Sequence, residues 1–250
     1  MKKIIFCIMI LGGLMSSPAL ADNYSFVTLE FPPLEFNQPD GKAGGVAIEI
    51  VQKIMTNLGH TVDVTVYPWA RALSMVKTGS ADAIFTAYKN PEREAFLYYS
   101  KNVLIPQVVG LYVKAGSPLA FNGDLATLKG KKIGVVNTIS YGKTFDGMRD
   151  QLTVERTDKL ELNFKKLKVD RIDMLVSNIY VADWTLKQMG LSGQFKRLPK
   201  EVESVDSFIA FSKAKGEGYA ALRDAFDKEL EKLIADGTYK AIMAKYGITQ

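Results

Sequence analysis

Cysteine and histidine are almost missing from this sequence. The single cysteine, Cys7, lies near the start, and the single histidine is His60. Beyond Cys7 the chain has no disulfide, no thiol nucleophile and no thiolate metal site. One histidine cannot build a multi-histidine zinc site. His60 follows Leu58-Gly59 at a predicted helix end and reads as a surface turn residue, which leaves the usual Ser-His-Asp triad without its base. Most hydrolase chemistry is thereby excluded, and neither a metal nor a cofactor is expected. A basic cluster is lacking too. The 32 Lys and Arg are scattered among 27 Asp and Glu, which reads as a solvated surface and not a nucleic-acid footprint. After the first residues, no apolar run approaches the ~20 residues a membrane-spanning helix needs.

The N-terminus does carry a signal. Lys2 and Lys3 precede an apolar stretch, 4–15, interrupted only by Gly12 and Gly13. Ser16-Ser17-Pro18 then leads into Ala19-Leu20-Ala21. This is the pattern of a secretory signal peptide, residues 1–21, with cleavage expected before Asp22. Cys7 stands too early for a lipid anchor. The mature chain is expected to be soluble, monomeric and periplasmic. Its formal charge falls from +5 to +3 as Lys2 and Lys3 leave.

From there strand and helix patterns alternate. Residues 25–30 alternate as a strand, and 46–58 carry a helical apolar stripe that stops at Gly59. Residues 61–67 are β-branched and extended, Pro68 opens a helix ended by Gly79, and 82–87 read as a buried strand. Further strands are expected at 111–113, 132–136, 173–176 and 208–211. A turn over 137–142 leads to a helix, and a long helical region over 218–246 turns at Asp236-Gly237. The alternation argues an α/β fold with mostly parallel sheets. Residues 77–84 and 168–175 echo one another: helix end, turn, Asp, strand. That suggests two similarly built halves, with 86–89 and 177–178 at the carboxyl edges of the sheets, where ligands bind in open α/β folds.

In this order the chain resembles a family. Phe31-Pro32-Pro33-Leu34-Glu35-Phe36 is followed by Asp40-Gly41, Gly44-Gly45 and Glu49. Next come Pro68-Trp69, Gly79 with Asp82-Ala83, Asn90-Pro91-Glu92-Arg93 and Tyr99-Ser100. The stretch 128–135, then Ala235-Asp236-Gly237-Thr238-Tyr239 and Lys245-Tyr246-Gly247, complete the set. Across essentially the whole mature chain this is similar to periplasmic solute-binding proteins of the polar amino-acid ABC transporter type, and Trp69-x-Arg71 resembles a less characterised branch of them. The resemblance implies a two-lobed type II periplasmic-binding-protein fold. One lobe would be 22–106 plus 212–250, the other 107–211. Two crossover strands would join them and let them close on a ligand.

The same resemblance implies a site. Arg93 takes the position of the carboxylate clamp, for which a planar guanidinium fork is suited. Phe31 and Trp69 would sandwich the ligand, Thr86 and Tyr88 share that edge, and Ser140 would hydrogen-bond the ligand carboxylate from the second lobe. Asn178 stands where the family usually has an aspartate for the ligand ammonium. Arg71 is either a second anionic clamp or a surface charge. The exchange to Asn178, with Arg71, shifts the expected ligand toward a carboxylated or otherwise anionic solute. The expected partner is an inner-membrane ABC permease. A separate sensory receptor, or a dehydratase-like enzyme using Glu35 as its acid, are alternative readings.

Overall fold

The computed structural model describes residues 22–137 and 139–248. The expected leader, 1–21, lies outside the described residues. The first part of the chain runs β1 (Asn23–Thr28), β2 (Phe36–Asn37), β3 (Ala43–Gly44), α1 (Val46–Asn57), β4 (Thr61–Val66), α2 (Trp69–Thr78), β5 (Ala83–Tyr88), α3 (Pro91–Glu94) and β6 (Leu97–Tyr99). The helices begin and end where the punctuation said they would. Gly79, at φ 78°, caps α2 in the left-handed conformation, which costs glycine nothing sterically. No side chain caps the start of α1. Tertiary burial holds it instead. Val46, Ala47, Ile48, Ile50, Val51, Ile54 and Met55 are all buried, and each large one contributes about 1.5–3 kcal/mol. That outweighs the few tenths per residue that β-branched side chains cost a helix.

The chain continues through β7 (Ile105–Lys114), β8 (Lys132–Val136), α4 (Lys143–Met148), β9 (Thr153–Thr157), α5 (Leu160–Lys168), β10 (Met174–Asn178), α6 (Ile179–Gln188) and β11 (Phe195–Arg197). It ends with β12 (Glu203–Ser212), α7 (Gly218–Ala235) and α8 (Thr238–Lys245). β7 and β12 are much longer than the expected 111–113 and 208–211. Pro106, Gln107 and Gly110 interrupt the apolar pattern of one, and the polar run 203–207 hides the other. Both stretches pair antiparallel with each other, from Glu203↔Val109 to Ser207↔Ile105, so each is stabilised by its partner more than by its own residues.

That pair is the middle of a hydrogen-bonded path β4-β1-β5-β12-β7-β10-β8-β9. On one side β12 continues into β5, and on the other β7 continues into β10. Within each side the remaining neighbours are parallel. α1, α7 and α8 cover one face of the β1–β5 side with Phe26, Ile50, Ile54, Phe226 and Leu230 in a common core. α2 covers its other face. On the β8–β10 side, Val109, Ile133, Phe145 and Val176 form one core, and Phe164, Leu167 and Leu186 another.

The internal echo is physical. Asp82 Oδ2 accepts from Ser25 N at 2.7 Å, and Asp82 N donates back to the Ser25 carbonyl. Asp173 Oδ2 accepts from Lys132 N at 2.7 Å, and Asp173 N donates to the Lys132 carbonyl. Each aspartate thus clips the start of the neighbouring parallel strand in the same way.

Candidate functional site

Three expected residues meet at the carboxyl end of β5. Asn90 caps α3 by accepting from Arg93 N at 2.9 Å, and this turns the Arg93 side chain back toward the strand. Its Nη1 donates to the Tyr88 carbonyl at 2.9 Å, and its guanidinium lies 5.2 Å from the Trp69 ring centroid. The Tyr99 hydroxyl donates to the same carbonyl at 2.9 Å. Trp69 is in place because Pro68 starts α2 there. Tyr88 is 46% exposed. Its pKa is raised chiefly by burial, with a smaller push from the Glu203 carboxylate.

Two residues back along β5, Thr86 is nearly buried and has φ 55°. That is a costly backbone for a β-branched residue, and such outliers cluster at ligand clamps. Its Oγ1 lies 2.6 Å from Glu35 Oε1 and 2.6 Å from the Phe85 carbonyl. Glu35 is fully buried, and its Oε2 has no hydrogen-bond partner. Burial pushes its pKa well above the usual carboxylate range, against the pull of the Thr86 hydroxyl and with the help of Glu30. Phe31 stands across the same turn. Its N–H donates to the Glu35 carbonyl at 2.7 Å, and its ring packs half-buried on the core.

The other expected residues have different surroundings. Arg71 is exposed and stacks over the Tyr67 ring at 4.3 Å. Ser140 donates to Asp146 Oδ2 at 2.5 Å. A hydroxyl has one proton, and in this arrangement Asp146 holds that of Ser140, leaving the Ser140 oxygen able to accept. Asn178 Oδ1 accepts from Tyr180 N at 2.9 Å and Val181 N at 3.3 Å, capping α6. Its Nδ2 donates to Gln107 Oε1 at 2.9 Å. Both acceptor positions of the amide oxygen are thus occupied by backbone N–H groups of α6.

Two groups escaped the sequence reading. Glu203, at the start of β12, accepts from Lys143 N at 3.1 Å and Thr144 N at 2.9 Å. It ties β12 to the start of α4, just after the turn that carries Ser140. Gln107 links Asn178 to the crossover strands. Neither stands in a motif; only the pairing of β7 with β12 reveals them. Two cavities lie elsewhere. One of about 120 Å³ is bordered by Asp183, Trp184 and Arg197, and one of about 450 Å³ by Lys114, Asp170 and Asp173. Among the described residues no cluster of His, Cys, Asp or Glu is arranged to hold a metal ion, and no helix is long and apolar enough to cross a membrane.

Comparison with known proteins fits this geometry. The model of the bacterial extracellular solute-binding proteins, family 3, matches residues 26–249. The putative ABC transporter arginine-binding protein 2 of Escherichia coli (strain K12) is 24% identical, covering 98% of this chain and 99% of that one. The L-cystine-binding protein TcyJ of the same organism is 25% identical over 86% of this chain and 79% of its own. Among solved structures, an ancestral arginine-binding protein bound to arginine superposes with a TM-score of 0.63 at 26% identity, covering 90% of this chain and 97% of that one. The mixed sheet with helices on both faces is accordingly the two-lobed type II periplasmic-binding-protein fold. The chain belongs to the bacterial extracellular solute-binding proteins, family 3.

Proposed function

We propose that this protein captures an amino acid in the periplasm, between lobes formed by 22–106 plus 212–250 and by 107–211, and delivers it to an inner-membrane ABC permease. The observation that carries the reading is the Arg93 guanidinium, fixed between the Trp69 ring and the Tyr88 carbonyl. A guanidinium has five N–H donors, more than its neighbours consume. The fork can grip a carboxylate while Trp69 and Phe31 cover the apolar part of the ligand. The lobe boundaries are supported by the β7–β12 pairing at 105–109 and 203–207, where the cores change sides.

The acids around the site refine the ligand class. Glu203 and Asp146 border the second-lobe loop, and the Ser140 hydroxyl is committed to Asp146. Of the two, Asp146 is paired with Arg149 and Glu203 holds the backbone N–H groups of Lys143 and Thr144 at the start of α4. A ligand with one carboxylate for Arg93 and an ammonium is therefore favoured, within the carboxylated or otherwise anionic class considered from sequence. Relatives named for arginine and L-cystine agree with that class. Arg71, stacked on Tyr67, stays outside the clamp, and Asn178 shapes the hinge. Glu35 has no reacting group beside it, and we assign it no catalysis.

A thermal-shift screen tests this. Amino acids should raise the melting temperature, since a ligand at a hundredfold excess over Kd adds about 2.7 kcal/mol. Dicarboxylates without an ammonium should not. In Arg93→Ala the shift should vanish while the unliganded protein stays folded, because the lost ring contact and the hydrogen bond to Tyr88 are worth only about 1 kcal/mol each. A shift given by dicarboxylates alone, or kept in full by Arg93→Ala, overturns the reading.

A further inference from the structure

We infer that Glu35 holds a proton in the folded protein and donates it to the Thr86 hydroxyl, so that Thr86 meets the ligand as an acceptor only. The argument is a count of protons. Thr86 Oγ1 is 2.6 Å from two oxygens, the Phe85 carbonyl and Glu35 Oε1. A carbonyl only accepts, and a hydroxyl has one proton to give. Two such short oxygen contacts need two protons. Thr86 supplies one, to Phe85, and the only other source at that point is Glu35. An ionised Glu35 would leave one contact as two facing lone pairs inside the protein. It would also leave a bare charge on Oε2, which is buried with no partner.

The surroundings agree. Glu35 is fully buried, and the charged groups that reach it are of its own sign or neutral: Glu30 from its own turn and the Tyr88 phenol from β5. Glu203 reaches the same phenol from β12. α1, which packs on the turn through Gly45, carries Glu49, and that carboxylate is paired with Lys245 and Tyr246. No cation answers Glu35 among these groups. The raised pKa is the electrostatic counterpart of the same arrangement.

The consequence for ligands rests on the site proposed above. Thr86 has given its proton to Phe85 and taken one from Glu35, so its remaining lone pair can only receive a donor. It favours an ammonium and turns away a second carboxylate. Glu35 is thus a positioning residue: it acts on specificity through Thr86 without touching the ligand.

The sign of the pH effect follows. A glutamate kept protonated in the folded state binds more protons there than when unfolded, so stability falls as pH rises from the ordinary glutamate value through its raised one. Glu35→Gln keeps the size and a donor toward Thr86 but cannot ionise. Three measurements decide the matter. The first is carbon-13 NMR of the Glu35 side-chain carboxyl, assigned by its loss in Glu35→Gln; it should report the protonated acid at pH 7. The second is the melting temperature of the unliganded protein. Between pH 5 and pH 8.5 the wild type should lose stability that Glu35→Gln retains, and Glu35→Gln should melt at or above the wild type at pH 8.5 while Glu35→Ala melts below it. The third is the thermal shift given by an equimolar mixture of the twenty proteinogenic L-amino acids, which Glu35→Gln should keep at pH 7. An ionised carboxyl at pH 7, or Glu35→Gln melting as low as Glu35→Ala, overturns the protonated pair. Loss of the mixture's effect in Glu35→Gln overturns the role of Thr86 as an acceptor. If the mixture fails to stabilise the wild type itself, the ligand reading falls and takes that role with it, while the first two measurements still judge the proton.

Discussion

The side-chain amides of Asn178 and Gln107 are joined at 2.9 Å, nitrogen of the first to oxygen of the second. Asn178 begins α6, and Gln107 lies on β7 beside the crossing. Gln107 Nε2 in turn lies 3.4 Å from Ser207 Oγ, which donates to the Ile105 carbonyl at 2.6 Å. A buried polar chain thus runs from a helix start across both crossover strands. Asn178 is held at both its oxygen and its nitrogen by this polar chain and by the start of α6.

Removing that amide should show in stability. Asn178→Ala loses the cap of α6 and strips the buried Gln107 oxygen of its donor, a cost of about 2–3 kcal/mol. Asn178→Asp also loses the donor to Gln107 but keeps the cap, and its charge is favoured at a helix start, so its cost should be smaller. Urea denaturation compares them. An alanine variant within about 0.5 kcal/mol of wild type would mean that the cap contributes nothing in solution.

Asp82 should set the acid limit of the first core. Burial opposes its ionisation, but the Tyr219 hydroxyl, Ser25 N–H and Lys215 together hold its pKa below the usual aspartate value. A depressed carboxylate contributes stability above its unfolded value and loses it as pH falls through the folded one. Asp82→Asn should be less stable than wild type at pH 7, and the gap should close at pH 2–3. Urea midpoints at the two pH values check this; a gap that widens in acid would contradict it.

Adjacent glycines should respond very differently. A methyl at Gly45, φ 126°, would stand 2.4 Å from the Leu34 carbonyl and 2.9 Å from the Glu35 backbone. Backbone cannot yield there. A methyl at Gly44 would meet the end of the Gln38 side chain, which can swing away. Gly45→Ala should cost about 2 kcal/mol or more, and Gly44→Ala well under half of that. Equal losses by thermal melting would show that the turn around Glu35 adapts.

Much of the fold was legible because its signals are local. Gly59 and Gly79 ended α1 and α2 as expected, and 132–136 matched β8 to the residue. β7 and β12 were half hidden, since Pro106, Gly110 and the polar 203–207 are tolerated only through cross-strand pairing. The site divides along the same line. Arg93, Trp69 and Tyr88 come together through short-range geometry around α3 and β5. Glu203, Gln107 and the true occupation of Asn178 depend on strands far apart in sequence, and no spacing rule announces them. Glu35 could be named from its motif, but its proton could be counted only once Thr86 and Phe85 were in place.

The core beneath that turn also carries a timetable. Phe26, Ile50 and Ile54, made early, share their cluster with Phe226, Leu230, Leu233, Ile242 and Met243, made almost last. A chain emerging from its N-terminus must therefore wait, with an uncovered apolar sheet face, until α7 and α8 arrive. Contacts so distant in sequence slow folding. The first half of the sheet thus becomes compact only once the far end of the chain has followed.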